Sequence, residues 1–263
     1  MRITLPGLVA LAAVAALAVG LRPLPASGDE PEPKGESLPE FPMLNPKNKQ
    51  VPLHPDRKSI IAEGIPDEKN PDKVKKVVRV GVVAEVCLRE GALEQLLTKK
   101  GTKEHEAILR VDMDAELVHL AIIAAGGKPG AQSKFVDAKG EPKFTPATGS
   151  KVKVSVHYKK DGKLHTHPAQ EWIWNTKTKK PIAFDWVFAG SELIPNPDPN
   201  GKPVYGANSG DIFSISNFPY STLEFPVEIS KDEAQLTYEA RTDRIPPLTS
   251  KVWLLIEVPE EKK

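Results

Sequence analysis

The 263-residue chain carries 36 basic and 35 acidic side chains, for a formal net charge of +1, and a single cysteine. A charge so near zero argues against a nucleic-acid or anionic-membrane partner, because both reward clusters of excess Lys and Arg. The lone Cys87 excludes an internal disulfide and lies in an apolar run, so we expect a buried, unreactive thiol and a fold stabilised by its hydrophobic core.

The first 28 residues have the three regions of a secretory signal peptide. An early Arg2 precedes a run of Ala, Val and Leu, and small residues follow up to Gly28. An uncleaved anchor is the alternative, but the apolar run is shorter than the roughly 20 residues that span a bilayer. We predict a cleaved leader at residues 1–28, no stable membrane insertion after cleavage, and a periplasmic or secreted product.

Residues 29–73 follow as a predicted Pro-rich disordered spacer. Seven prolines fall between residues 29 and 56 among polar residues, a composition that buries too little apolar surface to offset chain entropy. A short strand or first contact with the folded body is possible at residues 59–61. A single domain is predicted at residues 74–259, with a charged tail at 260–263.

The first half of the domain predicts one long strand and up to three helices. Apolar residues alternate with others over residues 78–88, which indicates a strand with a half-apolar second face. Leu93, Leu96 and Leu97 have helical spacing, and Thr102 is positioned to cap a second short helix over residues 103–106. Residues 115–125 are almost entirely apolar between an Asp N-cap and a Gly C-cap, which predicts a buried helix.

From residue 150 the pattern changes to short strands with hairpin-length connections. Alternation over residues 152–158 leads into a turn at Asp161 and Gly162. Further strands are predicted around Trp172 and Trp186, and over the segments 212–217, 236–240 and 252–258. The predicted fold class is α+β, a largely antiparallel β-sheet with two or three helices in the N-terminal half of the domain.

Five segments together resemble the YdjY-type domain of exported bacterial proteins, especially planctomycete ones. They occur in order across roughly residues 77 to 258, and are 91–94, 101–106, 118–120 with 125–130, 186–191 and 210–218. The resemblance implies an exported single domain of unknown function. It brings no accepted catalytic assignment to transfer.

Polar loops next to aromatic strands are the first candidate site. Loops carried by a rigid sheet often bind ligands, and Trp stacks well on sugars or peptides. Structural turns beside core aromatic residues would have the same composition, so both interpretations stay open. The candidate ligand-binding residues are Trp172, Trp186, Ser191, Asn208, Asp211 and Asn217.

Histidines and acids form the second candidate. His105, Glu106 and His119 could serve as an acid/base or metal cluster, although the spacing of two His around a Glu that marks zinc hydrolases is absent. His165 and His167 flank one residue, which in a strand places both rings on one face. A solvated turn, a core histidine and a solvated hairpin are the structural alternatives.

The sequence favours an exported, non-catalytic binding or interaction module of the cell envelope. Its partner is expected to be an envelope protein or a small ligand of unknown identity, and no cofactor is assigned. The alternative is a metal-dependent hydrolase that uses the His105 and Glu106 cluster. The oligomeric state does not follow from the sequence.

Overall fold

The computed structural model describes residues 34–55, 58–138 and 141–260. In this part of the chain there are two α-helices, α1 (Ala115–Ala124) and α2 (Lys231–Thr237), and two 3₁₀ helices (Ala169–Trp172 and Gly206–Ser209). The strands of the first half are β1 (Lys49–Pro52), β2 (Ile60–Pro66), β3 (Val74–Val86), β4 (Gln95–Lys99), β5 (Ala107–Val111), β6 (Lys134–Ala138), β7 (Glu141–Thr145) and β8 (Lys151–Lys160). Those of the second half are β9 (Lys163–Pro168), β10 (Ile173–Asn175), β11 (Lys180–Pro181), β12 (Trp186–Phe188), β13 (Leu193–Ile194), β14 (Val204–Tyr205), β15 (Phe213–Ser214), β16 (Leu223–Glu224), β17 (Tyr238–Ala240) and β18 (Lys251–Glu257).

Eight strands close into a barrel in the order β3, β18, β8, β12, β16, β15, β4 and β5. The end of β3 pairs with β5, which closes the ring. Most neighbours are antiparallel, but β4 and β5 are parallel, as are β15 and β16. Outside the ring, β1 and β2 extend from β3, and β9 pairs with β8.

The predicted α+β fold class is wrong, because the described chain is a mostly β structure built on an eight-stranded barrel, and its two helices are short. The helix predicted around Leu93, Leu96 and Leu97 is replaced by β4, and residues 103–106 form turns before β5. Leu96 and Leu97 are adjacent and fully buried, as are Gln95 and Thr98 on either side of them, so both faces of the strand are buried. A strand buried on both faces shows no alternation, and its apolar run resembles a helix.

Three local predictions are confirmed. Strand β3 covers most of the alternating segment 78–88, and helix α1 covers nearly all of 115–125. Asp161 and Gly162 connect β8 to β9 with φ of 52° and 74°. Two consecutive positive φ values match the twist of a two-residue hairpin turn, which is why an Asp-Gly pair suits this position.

The segment predicted as a spacer differs from the structure over its described residues. Strand β2 pairs along the first half of β3, and Phe41 packs edge-on against Trp253 with ring centroids 5.2 Å apart. Glu63 has no exposed surface and accepts hydrogen bonds from the backbone nitrogens of Leu44 and Asn45. A few anchoring residues thus hold this Pro-rich segment, the N-terminal arm (residues 34–55), on the barrel; residues 29–33 and 56–57 lie outside the described residues.

The predicted leader at residues 1–28 also lies outside the described residues. Within the part that is described, no helix combines the length and apolar character needed to cross a membrane.

Candidate functional site

One segment contains three of the predicted site residues, Asn208, Asp211 and Asn217. Residues 206–218, which we call the seam, run from the 3₁₀ helix after β14 through β15 and end at Phe218. The seam turns at Gly210, where φ is +119° and an added Cβ would lie 2.7 Å from Thr102 Oγ1 and 2.8 Å from Thr98 Oγ1. Only glycine fits this approach without strain, so the loop is held tightly against β4 and the turn that follows it.

Just before the seam, Tyr205 links His119 of helix α1 to the loop at Ser191. Its hydroxyl lies 2.6 Å from His119 Nδ1 and accepts a hydrogen bond from the Ser191 backbone nitrogen at 3.2 Å. The Ser191 Oγ accepts a bond from Ala207 N at 2.9 Å. Burial raises the pKa of Tyr205 and lowers the pKa of His119, so both groups are held in their neutral forms. The loop at Ser191 and helix α1 therefore form one rigid unit.

Asn208 attaches the seam to the start of helix α1. Its Oδ1 accepts a hydrogen bond from Ala115 N at 2.8 Å, and its Nδ2 donates to Glu116 Oε2 at 2.9 Å. Asp114 occupies the predicted N-cap position, but its side chain caps nothing and instead pairs with Lys99 at 2.6 Å. A distant amide thus does the capping expected of a local aspartate.

Further along the seam, Asp211 binds a lysine from the turn before β5. Asp211 is 4% exposed, and its Oδ1 lies 2.8 Å from Lys103 Nζ and accepts a bond from Gln95 Nε2 at 2.9 Å. The Lys103 ammonium also lies 3.8 Å from the centre of the Phe218 ring and 3.7 Å from Glu106. Two carboxylates and an aromatic face therefore surround one cation, the geometry of a desolvated cation–π site.

Next to Glu106 lies Glu94, a carboxyl group with no exposed surface. Burial raises its pKa, and the negative charge of Glu106 raises it further. Gln235 donates to its Oε1, and Lys231 lies 3.8 Å from the same atom. Its Oε2 has no hydrogen-bond partner among the described residues. Burial beside a second carboxylate therefore favours the protonated form of Glu94.

A second buried glutamate ends the seam region. Glu224 accepts hydrogen bonds from Ser133 and from Asn217 Nδ2, the latter at 2.8 Å. Burial nevertheless raises the pKa of Glu224. Asn217 also donates to Val227 O at 3.0 Å and accepts from Ile229 N at 2.6 Å. In this structure the polar groups of Asn217 join β16 to the following loop.

The two predicted tryptophans lie in the core. Trp172 and Trp186 have no exposed surface, and Trp186 donates to Ser214 O at 3.1 Å while it stacks on Phe225. Neither ring presents a face to solvent in this structure. Contact of these rings with a ligand stays a prediction. Ser191 and Asn208 are half-buried and lie on either side of Tyr205.

The predicted histidine and acid cluster is divided. The His105 side chain is 77% exposed and lies 3.6 Å from Glu106, whereas His119 contacts Tyr205 and the Phe188 ring. Within the described ranges, no group of three or more His, Cys, Asp or Glu side chains is arranged to hold a metal ion. Hydrolase activity stays an untested alternative.

Cys87 is half-buried, so the expected burial of its thiol is confirmed only in part. Its thiol donates to Ala107 O at 3.1 Å, and burial raises its pKa to about 12. A thiol with so high a pKa forms little thiolate at neutral pH, so it is a poor nucleophile.

Sequence reasoning missed the buried acids Glu94 and Glu224 as site residues. Glu94 lies between Leu93 and Leu96, where an acid within an apolar run was the available signal. Glu224 is likewise surrounded by Leu223 and Phe225, both fully buried. Their roles depend on partners far away in sequence, which no local pattern identifies.

The family model described as the YdjY domain matches residues 71–257, which is well over half of the chain. No curated protein and no solved structure matches significantly.

Proposed function

We propose, from the premise that this chain belongs to the YdjY domain family, that it is an exported, non-catalytic binding module of the cell envelope. Its partner is a protein that docks through apolar side chains on a surface made by helix α1, the loop at Ser191 and strand β13. We call this surface the docking face, and define it by His119, Leu120, Ile123, Ser191, Leu193 and Asn208.

The observation that carries the proposal is a group of exposed leucine and isoleucine side chains around a rigid polar centre. Leu120 is 57% exposed and Ile123 is 43% exposed, and both lie on the α1 stripe that includes His119. Leu193 is 67% exposed and pairs with Tyr205, whose hydroxyl contacts His119. Grouped apolar side chains rimmed by polar residues are typical of protein interfaces.

The polar residues of the docking face support an apolar partner better than a small polar ligand. Ser191 Oγ, Asn208 Oδ1 and the Tyr205 hydroxyl are already bonded within the protein. A ligand that recruited them would first have to break those bonds. Burying a leucine fully contributes about 1.5–3 kcal/mol, so the exposed side chains supply the larger driving force.

Export is supported by the leader pattern at residues 1–28. An envelope location places the docking face where other exported proteins are available as partners. The near-zero net charge agrees with an interface that is not governed by electrostatic steering.

The experiment is site-specific photo-crosslinking in the native host. A photoreactive residue replaces Leu120 or Leu193 in one pair of variants, and replaces Leu236 in the control. Leu236 is a matched control because it is a 76% exposed leucine on the other helix, α2. We expect the same discrete crosslinked protein from positions 120 and 193 in the envelope fraction, and none from position 236. Equal crosslinking at all three positions, or none at 120 and 193, would contradict the proposal.

A further inference from the structure

We propose that the β8–β9 hairpin carries a second site, separate from the docking face, that binds a divalent transition-metal ion through the imidazoles of His165 and His167. Both residues lie on β9, which pairs with β8 alone and forms an arm outside the eight-stranded ring.

The strand places the two rings side by side. Residues two apart in a strand project from the same face, and here the ring centroids are 5.8 Å apart with an interplanar angle of 25°. A zinc-type ion lies about 2.0–2.1 Å from each imidazole nitrogen. With the rings this close, rotation about the side-chain bonds would bring one nitrogen of each ring to a common ion.

Neighbouring side chains orient both rings. Tyr158 stacks on His165 with centroids 5.3 Å apart and an interplanar angle of 22°, and it is fixed from behind by an edge contact with Trp172. The Glu171 carboxylate lies 3.5 Å from His167 Nδ1. A carboxylate on one imidazole nitrogen is the usual support of a metal-ligating histidine, and it leaves Nε2 for the ion.

The space in front of the rings is an open cleft of about 490 Å³. Its lining residues include Lys160, Lys163 and Arg244 as cations and Asp161 and Asp243 as anions. Lys160 donates to the Asp243 backbone oxygen, and Arg244 lies 3.7 Å from Glu171. Because Asp161 and Asp243 offset two of these three cations, the charge of the lining does not exclude a metal ion.

The donor set selects the class of ion. Imidazole nitrogens suit Cu²⁺, Ni²⁺ and Zn²⁺, whereas Ca²⁺ and Mg²⁺ require oxygen ligands. Two protein donors leave the remaining positions to water, which corresponds to an open, exchangeable site of moderate affinity. Cu²⁺ should bind most tightly, because it stands highest in the affinity order of the divalent first-row ions.

The test is titration of the full chain, without a purification tag, with Cu²⁺ by calorimetry and electron paramagnetic resonance. We expect one Cu²⁺ per chain with micromolar affinity and a spectrum showing coupling to imidazole nitrogen. His165→Gln and His167→Gln should each weaken binding more than about tenfold, because loss of an outer-shell partner alone costs about 10–100-fold. His105→Gln removes a histidine that is 77% exposed and lies outside the hairpin, and it should leave binding unchanged.

Several outcomes would overturn the proposal. Cu²⁺ binding that survives both hairpin substitutions would place the site elsewhere. The absence of saturable binding by the wild-type chain would remove it altogether. Saturable binding of inorganic phosphate that is lost in Lys163→Gln, with no Cu²⁺ site, would identify the cleft as an anion site. Because both histidines are half-buried on β9, thermal unfolding of each variant is measured as well, and an unfolding temperature equal to that of the wild type excludes misfolding as the cause of lost binding.

Discussion

Two glutamates with no exposed surface, Glu63 and Glu94, have opposite surroundings. Burial alone would raise the pKa of Glu63, but hydrogen bonds from Leu44 N, Asn48 and Arg79 outweigh it and hold this pKa below its ordinary value. Burial also raises the pKa of Glu94, and there the neighbouring Glu106 adds to the effect. The first carboxylate is stabilised as an anion, and the second is stabilised with its proton.

The two buried glutamates therefore have different roles in the protein. Arg79 lies 2.9 Å from Glu63 and holds the N-terminal arm on the barrel through that carboxylate. The Glu94 region has an unpaired Oε2 and adjoins the seam, which positions the docking face at its other end. We infer that Glu63 and its hydrogen-bond partners stabilise the fold. Glu94 and its neighbours instead position the seam and add little to stability.

The largest expected effect comes from Glu63→Gln. This change removes the close carboxylate partner of buried Arg79 and leaves it the more distant Glu257, 3.9 Å away, and breaking a buried ion pair costs about 3–5 kcal/mol. Urea unfolding at neutral pH measures it. The control Glu68→Gln changes an acid whose side chain is 90% exposed and lies 3.9 Å from Lys75, so it should cost less than about 1 kcal/mol. Equal losses of stability in Glu63→Gln and Glu68→Gln would contradict a stabilising role for the ion pair of Glu63 with Arg79.

A smaller effect is expected from Asn208→Ala at the start of the seam. It removes the bond to Ala115 N that caps helix α1, and loss of a cap costs about 1 kcal/mol. The same unfolding measurement applies, with Asp114→Ala as the comparison because the Asp114 side chain does not cap α1. If Asp114→Ala were the more destabilising change, the long-range capping of α1 would be incorrect.

The smallest change at neutral pH is expected from Glu94→Gln, whose effect is a change in pH dependence. A carboxyl group with a raised pKa stabilises the fold fully below its unfolded value near 4.5, and this contribution is lost as the pH rises through the folded-state pKa. Glu63, with a lowered pKa, stabilises the fold above 4.5 and loses this contribution as the pH falls through its folded-state pKa.

Unfolding free energy measured from pH 7 to pH 3 distinguishes the two acids. Glu94→Gln should be as stable as the wild type or slightly more so at pH 7, and should gain less stability than the wild type as the pH falls towards 4.5. Glu63→Gln should lose less stability than the wild type on further acidification. A fall of several kcal/mol in Glu94→Gln at pH 7 would mean that this carboxylate is stabilised as an anion after all.

Local patterns predict the elements whose partners are close in sequence. The alternation that ends in β3, the Asp161 and Gly162 turn and the apolar run of α1 all follow from residues within one element. The barrel does not follow, because β4 and β5 are parallel neighbours buried on both faces and have no periodic signature. The sequence therefore predicted helices in a region that forms part of a closed β-barrel.

The residues of the candidate site were likewise predictable only in part, because local patterns do not identify partners that are distant in sequence. Asn208 and Asp211 were identified from a polar loop, and the structure places both in the seam. The burial of Trp186 and the pairing of Asp211 with Lys103 depend on residues far apart in the chain. The N-terminal arm was missed because a few anchors such as Phe41 and Glu63 outweigh a composition otherwise typical of disorder.

One crosslinking measurement tests the docking face most directly. A photoreactive residue at position 120 is combined with Leu193→Asp in one variant and with Leu236→Asp in another, and the yield of the crosslinked partner is compared in the native host. If Leu120 and Leu193 belong to one surface, the crosslink should fall at least about tenfold with Leu193→Asp, since a buried unpaired charge costs more than 1.4 kcal/mol. It should stay unchanged with Leu236→Asp. A crosslink that survives Leu193→Asp, or that is lost equally with both substitutions, would contradict the docking face.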